Sequence, residues 1–132
     1  MTVGLSTVNT ADAWLNCIRS GGATRTVVAG TFVKLHTADP GVAGATAAAV
    51  GSATRIALTQ AASVSGSIVL NGTAPVWTNG GTSETLSHIS VWDAVTAGNF
   101  LYSVALTTPQ AWASTNTFTL SSATVSITPL AA

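Results

Sequence analysis

Threonine and serine take the place of charge in this chain. Twenty-two threonines and fourteen serines make up 36 of its 132 residues, while charged side chains make up 6%, against roughly 25% in ordinary soluble domains. Threonine is β-branched. Its methyl packs on a pleated surface and its hydroxyl meets water or a neighbouring strand, so it suits strands better than helices. Valine, isoleucine and aromatic residues are interleaved with it, and Gly, Asn and Pro interrupt the pattern about every eight to twelve residues. The alternation predicts an all-β fold, a β-sandwich or jelly-roll-like domain of about eight short strands.

The exception lies near the start. Ala11, Trp14, Leu15 and Ile18 fall at i, i+3, i+4 and i+7, one stripe of a helix over about residues 10–20. Asn9 or Thr10 can cap its first turn, Asp12 suits the positive end of its dipole, and Arg19 suits the negative end. Ser20-Gly21-Gly22 stops it. So short a helix is marginal alone, so Trp14 must pack, the helix either plugging one end of the sandwich or docking on a neighbouring subunit. The length fits one domain. We divide it into an N-terminal arm and short helix, residues 1–22, and a single β-sandwich domain, residues 23–132, with no internal repeat.

Strands are predicted at Thr26–Val28, Thr31–Thr37, Thr54–Gln60, Ser67–Leu70, Ala74–Thr78, Glu84–Trp92, Phe100–Leu106, Asn116–Leu120 and Thr124–Thr128. Along Glu84–Trp92, Ser87, Ile89 and Val91 alternate against Leu86, His88 and Trp92. Asn71-Gly72 is a strong tight-turn signal. The core candidates are Leu35, Ile56, Leu58, Ile68, Val69, Trp77, Ile89, Val91, Phe100, Leu101, Val104, Phe118 and Ile127. Residues 38–51, rich in Gly and Ala, read as a long surface loop, and loops of that length are usually functional or mobile.

The formal net charge is zero, so no basic field gathers nucleic acid and none is expected as a partner. With a mean hydropathy of +0.49, an isolated copy would be poorly protected against self-association. One cysteine, Cys17, closes no intramolecular disulfide. The start of the chain has neither a basic region nor an apolar run of signal-peptide kind, and no stretch approaches the ~20 apolar residues of a membrane helix. No membrane partner is expected.

The parts of an active site are sparse. His36 with Asp39, and His88 with Asp93, are the nearest approaches to a base with its carboxylate, and no G-x-S-x-G elbow supplies a nucleophile. The four carboxylates are scattered singly. Two His and one Cys fall short of a zinc site, clustered calcium ligands are missing, and Gly41-Val42-Ala43-Gly44 lacks the lysine of a phosphate loop. We expect no enzyme, no cofactor and no metal. The few charges are informative by position: Lys34, Arg55, Asp39, Glu84 and Asp93 stand against the compositional trend, and a pair between Asp39 and Arg55 would fix the base of the long loop.

Certain segments resemble a known family. Lys34-Leu35-His36-Thr37-Ala38-Asp39-Pro40-Gly41, Ala53-Thr54-Arg55, Val76-Trp77-Thr78, Glu84-Thr85-Leu86-Ser87-His88-Ile89-Ser90-Val91-Trp92-Asp93-Ala94 and Ala97-Gly98-Asn99-Phe100-Leu101 are similar to small structural proteins of tailed bacteriophages, frequent in phages of actinobacteria. Those proteins are labelled tail-fibre-like, minor tail, or minor capsid and head-decoration proteins, and the resemblance covers residues 31–107. It implies a virion protein made in the bacterial host cytoplasm. The first expectation is a decoration or minor capsid protein on the capsid surface, binding the major capsid protein and itself, as a homotrimer. The alternative is a tail-tip or tail-fibre component whose partner is a host-surface glycan, held at Trp77-Thr78-Asn79 or Trp92-Asp93. The expected contacts lie in residues 1–20 and in the 38–51 loop, with Trp14, Ile18, Lys34, His36, Asp39, Pro40, Arg55 and Trp112 as interface candidates. Trp112 is placed in a Pro109–Ala113 loop, where a tryptophan would either anchor a partner or lie buried locally.

Overall fold

The computed structural model of the protein describes residues 3–20 and 31–128. The expected strand at Thr26–Val28 and the glycines expected to stop the helix lie outside the described residues. Among the described residues nine strands run β1 (Gly4–Leu5), β2 (Thr31–His36), β3 (Ile56–Leu58), β4 (Ser67–Val69), β5 (Val76–Thr78), β6 (Glu84–Trp92), β7 (Phe100–Trp112), β8 (Thr117–Thr119) and β9 (Thr124–Ser126), with helix α1 (Asp12–Ser20) after β1. The all-β expectation holds, short helix included.

Five strands form one antiparallel sheet in the order β1-β7-β6-β2-β3. Register puts Val33 beside Val91, Leu35 beside Ile89, and Val91 beside Tyr102, so one face of the sheet is a continuous apolar surface. A bent antiparallel ribbon lies alongside it. β4 pairs with β9 and β5 with β8, and the bonds Leu70 N to Ala123 O (2.8 Å) and Leu120 N to Pro75 O (3.0 Å) carry the pairing into the bend. The ribbon lays Trp77 and Leu120 into the core with Val33, Leu35, Ile89 and Val91. Each such side chain contributes about 1.5–3 kcal/mol on full burial. Val69 and Ile127, expected in the core, are exposed.

β6 does not alternate as its sequence suggests. Between Leu86 and His88 the register slips: Leu86 stands opposite Gln110, whereas His88 stands opposite Ala105. The extra residues of β7 form a bulge, which reverses the parity of β6. Leu86 and Ile89 therefore enter the same core, both at most 2% exposed. Pro109 sits in that bulge, where a missing N–H is tolerated. β7 consequently continues to Trp112 instead of giving way to a loop. Beside the bulge, β7, β8 and β9 flank an open groove of about 680 Å³ lined by Val104, Leu106, Phe118 and threonine and serine residues.

Candidate functional site

The 38–51 segment, expected as a surface loop, is folded onto the sheet. Thr37 N bonds Ala47 O (2.9 Å), Ala49 N bonds Leu35 O (3.0 Å) and Thr46 N bonds Pro40 O (2.9 Å). Asp39 turns the chain by accepting the Gly41 amide at 2.9 Å. At the far end the Glu84 carboxylate accepts the Val50 and Gly51 amides at 3.1 and 2.8 Å. Pro40, Gly44, Ala49 and Gly51 are buried. Small residues permit this: a Cβ built on Gly44, whose φ is +69°, would lie 2.3 Å from the Phe100 ring.

Beneath the loop sits a chain of buried polar groups. His36, fully buried, donates from Nδ1 to Thr46 O at 2.8 Å. The carbonyl can only accept, so the proton is on Nδ1 and Nε2 accepts the Ser90 hydroxyl at 2.7 Å. Ser90 Oγ in turn accepts Trp92 Nε1 at 2.8 Å. The serine–histidine distance is that of a nucleophile and its base. Yet both residues are 0% exposed, and the imidazole is oriented by a carbonyl, not a carboxylate. The arrangement stitches β2 to β6 and both to the loop.

Burial lowers the His36 pKa, and the charges of Lys34 and His88 act in the same direction, while the Thr46 carbonyl opposes them. The folded state therefore holds less proton than an unfolded histidine near 6.5. Stability from this site is complete above that value and falls as the pH drops below it. Thermal melts from neutral pH to pH 5 should show the loss, and a His36→Gln variant, less stable throughout, should show a shallower dependence. Parallel pH profiles for the two proteins would refute this assignment.

The outer face of Trp92 is covered in turn. The Arg55 guanidinium lies 3.7 Å from the ring centroid, a stacked cation–π contact. Its Nη1 donates to Ala94 O (2.9 Å) and Ala97 O (2.5 Å). Arg55 is thus committed to the β6–β7 turn, and the expected pairing with Asp39 is replaced by these carbonyls. Within that turn Asp93 accepts the Asn99 amide (2.6 Å) and side-chain Nδ2 (2.8 Å). A Cβ on Gly98 (φ +71°) would stand 2.4 Å from Asp93 Oδ1. The Trp92-Asp93-Ala94 and Ala97-Gly98-Asn99-Phe100 segments are, physically, one locked turn with an arginine clasp.

A second lock holds the opposite end of the sheet. Asn79 is 1% exposed. Its Nδ2 donates to Trp112 O (2.8 Å) and Thr82 O (3.1 Å), and its Oδ1 accepts Gly81 N (2.8 Å). Trp77 Nε1 donates to Thr54 O, and Trp112 Nε1 to Asn116 O, both at 3.0 Å. Trp77 and Trp112 are each 2% exposed. Trp112 is thus a core residue with no face left for a partner. The two places expected to hold a glycan are likewise closed, one by burial of Trp77 and Asn79 and the other by Arg55 over Trp92.

The remaining candidates separate into two regions. Lys34 lies half-buried on the outer side of β2, and burial together with the charge of Arg55 lowers its pKa. His36 and Pro40 are sealed in the loop lock. Trp14 and Ile18 belong to α1, 51% and 78% exposed. The expected caps of that helix serve otherwise: Ser6 receives the Asn9 amide at the start of a π-helical turn, Thr7–Ala11, that leads into α1. Asn9 Nδ2 bonds Phe100 O (3.0 Å), and Thr10 Oγ1 bonds Leu101 O (2.9 Å). These bonds tie the base of α1 to β7, and Leu15 and Ile18 face outward rather than plugging the sandwich.

Among the described residues, no three His, Cys, Asp or Glu side chains gather as a metal site, and no helix is long and apolar enough to cross a membrane. No curated protein matches the chain. Residues 4–128 match the family model described as Podophage GP4 fiber I protein gp80. Because that match runs from the first residue of β1 past the end of β9, the chain belongs to this phage fibre family and is a structural protein of the virion.

Proposed function

We propose that the protein is a non-enzymatic structural subunit of the tail fibre apparatus, held in the particle by contacts with other protein. The observation that carries the reading is the match of the whole β domain to a family described by a fibre. The chemistry of the chain supports it. His36, Asn79, Glu84, Asp93 and Arg55 are spent on fixing loops and turns, which gives a rigid body with two locked ends. A neutral surface presents hydroxyls instead of charges, and the outward stripe of α1 offers an apolar patch of the kind that marks protein contacts. Repetition makes modest contacts sufficient, because effective concentration turns several weak interfaces into firm attachment.

Copy number tests the placement. Purified virions, quantified by mass spectrometry against the major capsid protein, should contain a handful to a few dozen copies, as a tail structure requires. Hundreds of copies would overturn the fibre reading and assign the chain to the capsid surface as a decoration protein bound to the major capsid protein.

A further inference from the structure

We propose that Asn71 is a site of spontaneous covalent modification, its side-chain amide converting to aspartate and isoaspartate through attack by the Gly72 nitrogen. Asparagine is a thermolabile residue, and a following glycine puts no side chain in the way of the attack. The chain has two such steps, Asn71-Gly72 and Asn79-Gly80, and the fold treats them oppositely. Asn79 is buried, its Nδ2 is held by the Trp112 and Thr82 carbonyls, and the Gly80 nitrogen donates to Gly51 O at 2.8 Å. Leaving group and nucleophile are both tied. At the bend after β4, Asn71 and Gly72 are exposed. The Gly72 nitrogen lies 2.9 Å from Asn71 Oδ1, which sets it against the carbonyl it must attack. Asn71 Nδ2 makes no hydrogen bond among the described residues. A Cβ built on Gly72 would find its nearest neighbour, Thr59, 3.8 Å away, so the turn has room to close into a ring.

The steps balance with water alone. The Gly72 nitrogen gives up its proton and bonds to Asn71 Cγ, the Cγ–Nδ2 bond breaks, and Nδ2 departs as ammonia with that proton. Water then opens the cyclic imide at either carbonyl. Opening at Cγ leaves aspartate in an ordinary chain. Opening at the main-chain carbonyl leaves isoaspartate, with the backbone routed through Cβ and Cγ. Either product adds a negative charge to a chain whose formal net charge is zero. Isoaspartate also inserts a carbon into the main chain within the ribbon bend, between the Leu70 N to Ala123 O bond and the Leu120 N to Pro75 O bond. The reaction does not depend on where the subunit sits in the virion.

Incubation of the folded full chain at mildly alkaline pH, followed over time by isoelectric focusing and peptide mass spectrometry, tests the site. An acidic species should accumulate that carries aspartate and isoaspartate at position 71, while Asn79 stays intact. In urea, which opens the lock around Asn79, both asparagines should convert. Gly72→Ala should slow the reaction severalfold, because its Cβ crowds the attacking nitrogen. Asn71→Gln should remove the acidic species, because the longer side chain must close a larger ring. Both substitutions fall at exposed positions, and thermal melts check that each variant is folded. Asn71 unchanged in the folded chain, or Asn79 converting there equally fast, would overturn the proposal. So would aspartate at position 71 without isoaspartate, or an acidic species that persists in Asn71→Gln.

Discussion

Asn79→Ala is expected to lower the stability of the domain by about 2–4 kcal/mol, because one buried and two half-buried bonds vanish at once and each unpaired buried group costs ~1–3 kcal/mol. The Trp112 and Thr82 carbonyls would lose their donor and the Gly81 amide its acceptor. Those groups belong to the end of β7 and to the turn between β5 and β6, so one side chain ties that turn to β7. Asn79→Asp should be worse than alanine at neutral pH, since it buries a carboxylate against two carbonyls. Urea or thermal unfolding of the two variants gives the measurement. A fall in melting temperature of only a degree or two for both would show that Asn79 is not the fastening point.

The second large effect is expected at Gly44. An alanine there meets the Phe100 ring at 2.3 Å while holding a φ of +69°, so two penalties add. Gly72 provides the comparison. Its φ is +77°, yet the nearest atom to a built Cβ is 3.8 Å away, so Gly72→Ala carries the backbone penalty alone, about 1 kcal/mol. Gly44→Ala should exceed it by about 1–3 kcal/mol of overpacking. The Phe100 ring also packs on Trp92 at 5.7 Å between centroids, so the displacement should reach the indole, and tryptophan fluorescence should shift in the folded state. Equal destabilisation at the two glycines would mean that the loop rides freely over the ring.

Much of the strand layout was legible because period two in Thr, Val and Ile is a local signal. β2 and the far half of β6 read directly from Val33, Leu35, Ile89 and Val91. What failed was long-range. Pro109 reads locally as the end of a strand, and only the register between β6 and β7 reveals a bulge that lets the strand resume and buries Trp112. Arg55 and Asp39 are near in sequence and both flank a loop, so pairing them was natural. The carbonyls that Arg55 does bind lie some forty residues on, at Ala94 and Ala97, and no spacing rule points across that gap. Asn79 carried no signal beyond the Asn-Gly-Gly turn it begins. Its value comes from a cavity shaped by Gly51, where a Cβ would fall 2.3 Å from Asn79 Oδ1. The outward stripe of α1 was legible as a helix, but which way it faced was decided by polar residues beside it, Asn9 and Thr10, reaching for β7.

The bulge in β7 has one more effect, on how crowded subunits avoid sticking. β1 covers β7 only at Tyr102 and Ser103, so among the described residues the stretch from Val104 onward borders no strand on that side. An unguarded row of amides and carbonyls invites neighbouring molecules to add themselves, sheet to sheet, without limit. Here the row is bent by the extra residues and broken by a proline that has no hydrogen to offer. Subunits packed side by side in a particle can then touch along this border without fusing into an endless ladder.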